Sequence, residues 1–315
     1  MKKQFPIVIG KELTEKPLAA TIGMFDGVHR GHSLLLRTLR SEARQRGLTP
    51  VAITFANHPK TIVNPTGAPP LIIPAKEKIR LLEEREMVKP LVLEFNNEIR
   101  GYNSFDWMEQ LYHHFNVKFL LIGYDNTFGK DGRDMLMIDF IRFGKQIGIE
   151  VVEAPALIGI SSSVIRKAIE NGDMPKVKEL LGRPFEMYGT VIEGNKLGRK
   201  LGFPTANLEI ADNIVKPKTG VYAGEAKIPG EGNGWKPAMI NIGLRPTIGD
   251  LTAPQPEVHI LNWEGDLYGQ ELRIRLHNYL REEVKFESVE QLKEQLTADR
   301  MRVVDLASTA FGQLL

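Results

Sequence analysis

The sequence predicts an α/β fold in two parts: a doubly wound, Rossmann-like parallel sheet, followed by a small β-barrel with terminal helices. The chain has 315 residues, which at roughly 150 residues per domain indicates about two domains. Between Leu18 and Leu181, short apolar runs alternate with helical patterns, which is typical of parallel strands joined by crossover helices. After Gly182 the apolar runs are separated by Gly and Pro, which indicates an all-β unit. We therefore expect one domain at residues 1–182 and a second at residues 183–315.

The elements of the first domain follow from its apolar runs. Strands are predicted at Leu18–Met24, Pro50–Phe55, Pro90–Phe95, Val117–Gly123 and Ile149–Ala154. After the first strand, a helix of about four turns is predicted by an apolar stripe of Leu35, Leu36, Leu39 and Ala43. Further helices are predicted at Lys76–Met87, Ser104–Phe115 and Asp134–Ile147, with short ones after Ser161 and Asp173.

The elements of the second domain are mostly short strands. They are predicted at Gly189–Glu193, Gly220–Ile228, Ala238–Gly243, Val258–Trp263 and Leu272–His277. Helical spacing returns only at Val289–Leu314, where we expect a pair of helices that covers the barrel.

Composition excludes several classes of function. The 41 Lys and Arg nearly balance the 39 Asp and Glu, so a broad nucleic-acid-binding surface is not expected. The absence of cysteine excludes disulfides, thiolate metal sites and a Cys nucleophile. No apolar run approaches the ~18 residues of a membrane span, and Phe5–Ile9 is too short for a signal-peptide core. We expect a cytoplasmic protein that acts on small molecules, either as a monomer or as a homo-oligomer.

Two histidines follow the first predicted strand, at the start of the leucine-striped helix. The segment from Gly23 to His32 reads Gly-Met-Phe-Asp-Gly-Val-His-Arg-Gly-His. Because His29 and His32 are three residues apart, they share one face of the first helical turn, where free N–H groups and the helix dipole favour phosphate. Gly31 permits close approach of a ligand to the backbone. Two other interpretations are open: solvated histidines at a helix cap, or a zinc pair, which would need ligands beyond Asp26.

Two later segments combine small polar residues with cationic ones. Ser162 and Ser163 precede a predicted helix, so they could cap it while Arg166 reaches a phosphate, or the segment could be only a cap. The loop at 194–202 mixes Gly with Lys and Arg, and such a loop can wrap an anionic nucleotide. An ordinary surface loop is the alternative. If the loop at 194–202 binds a nucleotide, its candidate ligand-binding residues are Gly198, Lys200 and Gly202.

In this order along the chain, the segments resemble the bifunctional riboflavin kinase/FMN adenylyltransferase family, the bacterial FAD synthetases. Residues 23–32 resemble the family signature Gly-x-Phe-Asp-Gly-x-His-x-Gly-His, and residues 198–207 closely follow the riboflavin kinase motif that ends in Pro-Thr-Ala-Asn. Glu257-Val258-His259 is a further match, and the resemblance covers about residues 15–300. It implies a transferase that phosphorylates riboflavin to FMN with ATP and Mg²⁺. A second ATP then adenylylates FMN to FAD and releases pyrophosphate.

The resemblance also implies roles for individual residues. Glu257 would take the proton from the flavin hydroxyl, although read alone it is a carboxylate on a solvated strand edge. Thr205 and Asn207 would bind Mg²⁺, an ion that hard oxygen ligands suit. His29 and His32 would be catalytic, stabilising charge on the α-phosphate. The implied nucleotide-binding residues are Gly23, Phe25, Asp26, Gly31, Ser162, Ser163, Arg166, Gly198, Lys200 and Gly202. The implied flavin-binding loop contains Asp125, Asn126 and Phe128.

The chain departs from the family pattern at three positions. Ser163 replaces the usual Thr and keeps the hydroxyl, Asn57 replaces the first Pro of a Phe-x-Pro-His-Pro element, and Asn126 stands where an aromatic residue is usual. Two rival interpretations stay open. One is a riboflavin kinase whose first domain transfers AMP weakly or not at all, and the other is a flavin- or nucleotide-binding regulatory protein without turnover.

Overall fold

The computed structural model describes residues 6–59, 62, 67–124, 128–194, 197–232, 234–246 and 252–311. The chain forms two compact units. The first comprises Met1–Pro69 and Pro74–Ser161, and the second comprises Pro70–Ile73 and Ser162–Leu315. Residues 162–182 thus pack with the second unit, whereas the sequence assigned them to the first domain. Within the described ranges, no helix is long and apolar enough to cross a membrane.

The first unit contains a six-stranded sheet with the order β1-β4-β3-β2-β5-β6. The strands β2 to β6 pair in parallel, and the edge strand β1 is antiparallel to β4. All five predicted strands are present, whereas β1 was not predicted. The bounds are β1 Ile7–Ile9, β2 Leu18–Ile22, β3 Thr49–Phe55, β4 Lys89–Leu93, β5 Val117–Ile122 and β6 Glu150–Glu153.

The helices of the first unit also follow the predicted order. The α-helices are α1 Arg30–Arg46, α2 Ala75–Arg80, α3 Asn97–Gly101, α4 Ser104–His113 and α5 Met137–Ile147. A π-helical turn at Leu81–Arg85 continues α2, and 3-10 turns occupy Lys11–Glu15 and Gly132–Asp134. The predicted stripe of α1 is buried, with Leu36, Leu39 and Ala43 at 0% exposure. The helix ends at Gly47, whose left-handed backbone (φ 66°) closes the last turn.

The strand order places the carboxyl end of β2 at a reversal point of the sheet. From β2 the chain adds β3 and β4 on one side, and then returns to place β5 on the other side of β2. Ligands of open α/β sheets bind in the crevice at such a point. The segment from Gly23 to His32 follows β2 directly, so the fold positions it for ligand binding.

The second unit is built on a closed antiparallel barrel with the order β10-β11-β8-β7-β12-β9. Its strands are β7 Phe185–Ile192, β8 Ala206–Glu209, β9 Gly220–Lys227, β10 Lys236–Pro246, β11 Thr252–Ile260 and β12 Glu271–Arg281. Its helices are α6 Ser162–Glu170, α7 Met174–Leu181, α8 Leu197–Leu201 and α9 Val289–Leu306. Each predicted strand overlaps an observed one, although the strand predicted at Val258–Trp263 ends at Ile260 and begins earlier, at Thr252. The strand β8 was missed because it has only four residues. The predicted C-terminal helix pair is one helix, α9, followed by a π-helical turn at Ala307–Phe311, because no Gly or Pro interrupts it.

The barrel strands have two faces because successive side chains alternate. Ile240 lies opposite both Tyr222 and Val258, and all three are almost fully buried inside the barrel. The neighbouring residue Met239 belongs to the other face, where it packs in one apolar cluster with Val303 of α9. The helix α9 therefore covers part of the outer face, and residues in register with Met239 project outward.

Candidate active sites

The first candidate site lies where β8 and β11 pair. Asn207 of β8 is directly opposite Glu257 of β11, and directly opposed residues of an antiparallel pair share a face. Just before β8, the Thr205 hydroxyl donates a hydrogen bond of 2.7 Å to Oε1 of Glu257. A short bond to a carboxylate is charge-assisted, so it fixes the orientation of the Glu257 side chain.

The amide of Asn207 has the properties of a metal ligand. The residue is 5% exposed, and its Oδ1 atom is shielded from solvent and accepts no hydrogen bond within the part of the chain that the structure describes. An unsatisfied buried acceptor costs about 1–3 kcal/mol, which a bound cation would relieve. A β-carbon at position 194 would overlap this amide. Gly194 therefore leaves the space that Asn207 occupies.

Thr205 and Asn207 fit the magnesium ion that the sequence predicts. Both offer hard oxygen donors, and the Thr205 hydroxyl keeps lone pairs while it donates to Glu257. The described residues contain no group of three or more His, Cys, Asp or Glu side chains that could hold a metal. Mg²⁺ does not need such a cage, because it keeps several waters and is completed by substrate phosphates.

The loop before β8 is shaped by two glycines. At the end of α8, the Phe203 N–H donates to the Gly198 carbonyl (2.9 Å) and the Gly202 N–H donates to the Arg199 carbonyl (3.3 Å), which is a Schellman motif. Gly202 is left-handed (φ 84°), and a β-carbon at Gly198 would overlap the carbonyl of Phe203. Backbone geometry therefore requires both glycines. Lys200 is exposed, and the phosphate-binding role of Gly198, Lys200 and Gly202 stays a prediction.

His259 holds this loop against β11. Its Nδ1 atom lies 2.9 Å from the carbonyl oxygen of Pro204, and because a carbonyl only accepts, Nδ1 carries the proton in this contact. Burial lowers the pKa of His259, so the ring is neutral at pH 7. The residue before Thr205 is thus attached to the strand that carries Glu257.

A cavity of about 380 Å³ lies beside this pair. Its wall includes Ala206 and Val258, which face the barrel interior, and residues 263–268 form another part of the wall. Glu257 is the strand neighbour of Val258 and projects to the opposite face. Thr205 lines the cavity and also bonds Glu257. It therefore connects the cavity on one side of β11 with the carboxylate on the other.

The second candidate site is the turn that follows β2. Phe25 and Val28 both have positive φ, at 49° and 38°, a conformation that costs a non-glycine residue on the order of 1–3 kcal/mol. Both side chains are almost fully buried. A β-carbon at Gly23 would lie 3.2 Å from the Phe25 ring, so glycine allows this ring to pack closely. Tertiary packing thus holds a strained turn, as is common at functional sites.

The two histidines meet at the N-terminus of α1. His29 is the N-cap residue, and its Nδ1 accepts a hydrogen bond of 3.3 Å from the backbone N–H of His32, so a neutral His29 carries its proton on Nε2. The rings stack with centroids 3.6 Å apart, and the Phe25 ring meets His32 edge-on at 5.2 Å. A β-carbon at Gly31 would lie 3.2 Å from the His29 ring. The zinc interpretation finds no support, because no three-ligand cluster exists among the described residues.

Lys78 belongs to this site and was missed by sequence reasoning. Its ammonium group donates to the carbonyls of Met24 (3.2 Å) and Phe55 (2.9 Å) and to the hydroxyl of Thr54 (3.0 Å). Burial lowers its pKa to about 8, partly opposed by Asp26. Lys78 therefore ties the carboxyl ends of β2 and β3 together. No local pattern marks it, because a lysine in the Lys76–Met87 helix reads as a solvated residue.

The departure at Asn57 has a structural explanation. Its Nδ2 donates to the Phe95 carbonyl and its Oδ1 accepts from the Phe95 N–H, each at 2.8 Å. The side chain thus continues the pairing of β3 with β4 by one rung beyond the strands. Asn57 therefore keeps this strand end ordered without the proline.

The remaining predicted residues lie in several places. The helix α6 begins at Ser162, so Ser162 and Ser163 are in its first turn, in the second unit. The Arg166 Nε donates to the Pro70 carbonyl at 2.7 Å. Phe128 is 8% exposed and packs against Phe140. Asp125 and Asn126 lie outside the described residues.

Comparison with known proteins matches both parts of the chain. The riboflavin kinase family model matches residues 181–306, and the FAD synthetase model matches residues 11–167. The bifunctional riboflavin kinase/FMN adenylyltransferase of Bacillus subtilis is 34% identical, over 93% of each chain. The protein of the same name from Pseudomonas fluorescens is 36% identical, over 89% of this chain and 90% of its own.

The chain belongs to the bifunctional riboflavin kinase/FMN adenylyltransferase family. This confirms the family, the fold class and the transferase function expected from the sequence. A crystal structure described as a macrolide-efflux protein from Streptococcus pneumoniae is also similar, with a TM-score of 0.82 and 31% identity over 91% of this chain and 94% of that one. That similarity supports the arrangement of elements, whereas the two family models and the relatives carry the family assignment.

The two candidate sites lie in stretches of the chain that match different family models. The barrel site lies in the stretch that matches riboflavin kinase, and the turn after β2 lies in the stretch that matches FAD synthetase. Thr205, Asn207 and Glu257 lie close together, and so do His29 and His32.

Proposed function

We propose that the barrel of this bifunctional enzyme phosphorylates riboflavin with Glu257 as the general base. The Glu257 carboxylate would take the proton of the flavin 5′-hydroxyl as its oxygen attacks the γ-phosphorus of ATP, and the bond to ADP breaks. The observation that carries this proposal is the 2.7 Å hydrogen bond between Thr205 and Glu257. It orients the Glu257 carboxylate through a residue that also lines the cavity.

The geometry supports transfer at Thr205, where the cavity and the Glu257 carboxylate meet. ATP would occupy the cavity that Thr205 and Arg199 line, with its γ-phosphate beside Thr205, where the flavin hydroxyl held by Glu257 would meet it. Thr205 and Asn207 would hold Mg²⁺, which when bound neutralises charge on the phosphates. Gly198 would contribute an N–H group and Lys200 a cation to the same phosphates, and Gly202 would shape the turn that presents them. Direct transfer between two bound substrates needs no phosphoenzyme.

For the first unit, we propose that the turn after β2 transfers AMP from ATP to FMN. An FMN phosphate oxygen would attack the α-phosphorus, and pyrophosphate would leave. The Nε2–H of His29 and the imidazole of His32 would donate to the α-phosphate as charge develops. The stacked pair at the N-terminus of α1 supports this role. Gly23, Phe25, Asp26 and Gly31 would shape the pocket.

The loop with Asp125, Asn126 and Phe128 would contact the flavin, and phosphate binding by Ser162, Ser163 and Arg166 stays a prediction from the sequence. The ordered strand end at Asn57 favours a working adenylyltransferase over the rival with an inactive first domain. We also propose a cytoplasmic location, small-molecule substrates only, and no nucleic-acid partner.

Incubation of the full chain with riboflavin, ATP and Mg²⁺, followed by separation of flavins over time, tests both activities. We expect FMN first and then FAD. Accumulation of FMN without FAD, also when FMN is supplied, would favour the rival with an inactive first domain. Binding of flavin or ATP without any product would favour a regulatory protein. Omission of Mg²⁺ should stop both steps.

A further inference from the structure

Two asparagines flank Glu257 on the outer face of the barrel. Asn207 of β8 and Asn241 of β10 are each directly opposite Glu257 of β11. Directly opposed residues of antiparallel strands have β-carbons about 4.5–5.5 Å apart. The proposed base therefore sits in the middle of a row of three side chains. Of the two asparagines, only Asn207 has a role in the proposed phosphorylation.

The orientation of the Asn241 amide is determined by Glu283. The Asn241 Nδ2 donates to Oε1 of Glu283 at 3.0 Å. Because an ionised carboxylate only accepts hydrogen bonds, the amide must present its NH₂ group to Glu283. Its carbonyl oxygen, Oδ1, is then directed away from Glu283. This oxygen is shielded from solvent and has no hydrogen-bond partner among the described residues.

The contact between Asn241 and Glu283 is built into the fold. A β-carbon at position 243 would lie 2.7 Å from the Glu283 carboxylate and 3.0 Å from the Asn241 amide nitrogen, so Gly243 leaves the space that this contact needs. Two residues before Glu283, the guanidinium of Arg281 binds both carboxylate oxygens of Asp299, which is 0% exposed. The chain that carries Glu283 is thus anchored to α9.

This arrangement is unfavourable for the protein alone. A buried acceptor without a donor destabilises the fold, and the Glu283 contact imposes that state on Asn241. A ligand hydroxyl would remove the cost. Two neighbouring acceptors, the Glu283 carboxylate and the Asn241 carbonyl, suit a molecule with several hydroxyl donors.

We propose that Asn241, oriented by Glu283, recognises the secondary hydroxyls of the flavin polyol chain beside the hydroxyl that Glu257 activates. Asn241 is then a specificity-determining residue and Glu283 a positioning residue. The inference rests on the proposed role of Glu257. The hydroxyl on the carbon next to the reacting one is a single C–C bond away, whereas the N3–H donor of the flavin ring is at the far end of the molecule. A cross-strand neighbour of Glu257 is therefore in reach of the polyol and not of the ring N3.

The test compares riboflavin with lumiflavin, which has the same ring and no polyol, in the full chain. The Asn241→Ala variant should raise the KM for riboflavin about tenfold, the effect of one good hydrogen bond. Its kcat should change less than about threefold, and its KM for ATP should not change. The inhibition constant of lumiflavin against riboflavin phosphorylation should also stay constant. This readout reports on the kinase site alone. Asn278→Ala, on β12, which pairs with β7 and β9 and not with β10 or β11, is the matched control and should change none of these constants.

The Glu283 variants test the orienting contact. Glu283→Gln keeps an acceptor for the Asn241 amide and should retain most of the affinity, whereas Glu283→Ala should raise the KM for riboflavin by a factor similar to Asn241→Ala. The double variant should be no worse than either single variant, because both changes remove one interaction. A clearly additive double variant would overturn the orienting role of Glu283.

Other outcomes also decide the proposal. An unchanged KM for riboflavin in Asn241→Ala would overturn it, and so would an equal rise in the lumiflavin inhibition constant, because that would mean ring recognition or general distortion. If the variant does not fold, 4′-deoxyriboflavin can be tested on the wild-type chain, where a KM equal to that of riboflavin would count against the proposal. Failure of the wild-type chain to phosphorylate riboflavin would instead refute the proposed function itself.

Discussion

Replacing Glu257 with Gln removes a proton acceptor and keeps the size of the side chain. The hydroxyl of Thr205 donates to Oε1 of Glu257 at 2.7 Å, so in Glu257→Gln the amide oxygen should take that position. The amide NH₂ group then stands where the second carboxylate oxygen was. An NH₂ group cannot accept the proton of the flavin hydroxyl, and the two donors face each other.

The expected loss follows from general-base catalysis. Such a base contributes typically about 10²- to 10⁴-fold, which corresponds to about 3–5 kcal/mol of transition-state stabilisation. The loss should lie in kcat for riboflavin phosphorylation, with ATP affinity by calorimetry nearly unchanged. Adenylylation of supplied FMN should be unaffected. Glu209→Gln, at an exposed carboxylate of β8, is the control and should behave as wild type.

Two results would refute this reasoning. A Glu257→Gln enzyme that phosphorylates riboflavin at nearly the wild-type rate would mean that Glu257 is structural and the base lies elsewhere. Loss of ATP binding together with activity would mean that the carboxylate supports the fold of the site. Thr205→Ser keeps the orienting hydroxyl and should remain active, whereas Thr205→Val should lose the bond to Glu257 and the oxygen proposed to bind Mg²⁺.

Three further outcomes are expected. His32→Ala should lower FAD formation about 10²- to 10³-fold and leave FMN formation unchanged; equal losses with an unchanged circular dichroism melt would contradict separate sites. The pKa of Lys78 is about 8 in the folded chain and about 10.4 in the unfolded chain. Between these two pH values the unfolded chain binds more protons, so the free energy of unfolding should increase with pH, by up to about 3 kcal/mol. Lys78→Met should remove this rise in denaturant titrations at pH 7.5 and 10, and a rise of the same size in the variant would argue against the assignment. A fragment of residues 162–315 should phosphorylate riboflavin. It should also melt at a higher temperature than a fragment of residues 183–315, which lacks the buried apolar side chains of α6 and α7. Equal melting temperatures would show that these helices do not stabilise the barrel.

Periodicity and motif order sufficed to predict most of the fold. The buried stripe of α1 is visible as Leu35, Leu36 and Leu39 in the sequence, and the five parallel strands are continuous apolar runs. The strand β1 was missed because Ile7–Ile9 has only three residues and gains its stability from pairing with β4. A short edge strand of this kind carries little signal of its own.

Local motifs singled out residues that lie close together in the structure, since Thr205, Asn207 and Glu257 converge and His29 stacks on His32. Contacts between distant parts of the chain could not be predicted. Lys78 reaches β2 and β3 from a helix more than twenty residues later, and Glu283 reaches Asn241 across 42 positions. Such pairs depend on strand order and register, which no local pattern encodes.

The alternation of side chains along β11 also limits how this family of sequences can change in length. Glu257 must project outward toward Asn207, while its neighbour Val258 lines the cavity. Insertion or deletion of one residue in β11 would exchange the two faces, bury the carboxylate inside the barrel and expose a valine to the flavin. Single substitutions in this strand leave the alternation of its side chains intact, whereas a change of length by one residue does not. Length variation should therefore accumulate in the loops that join the strands, such as residues 228–235 between β9 and β10.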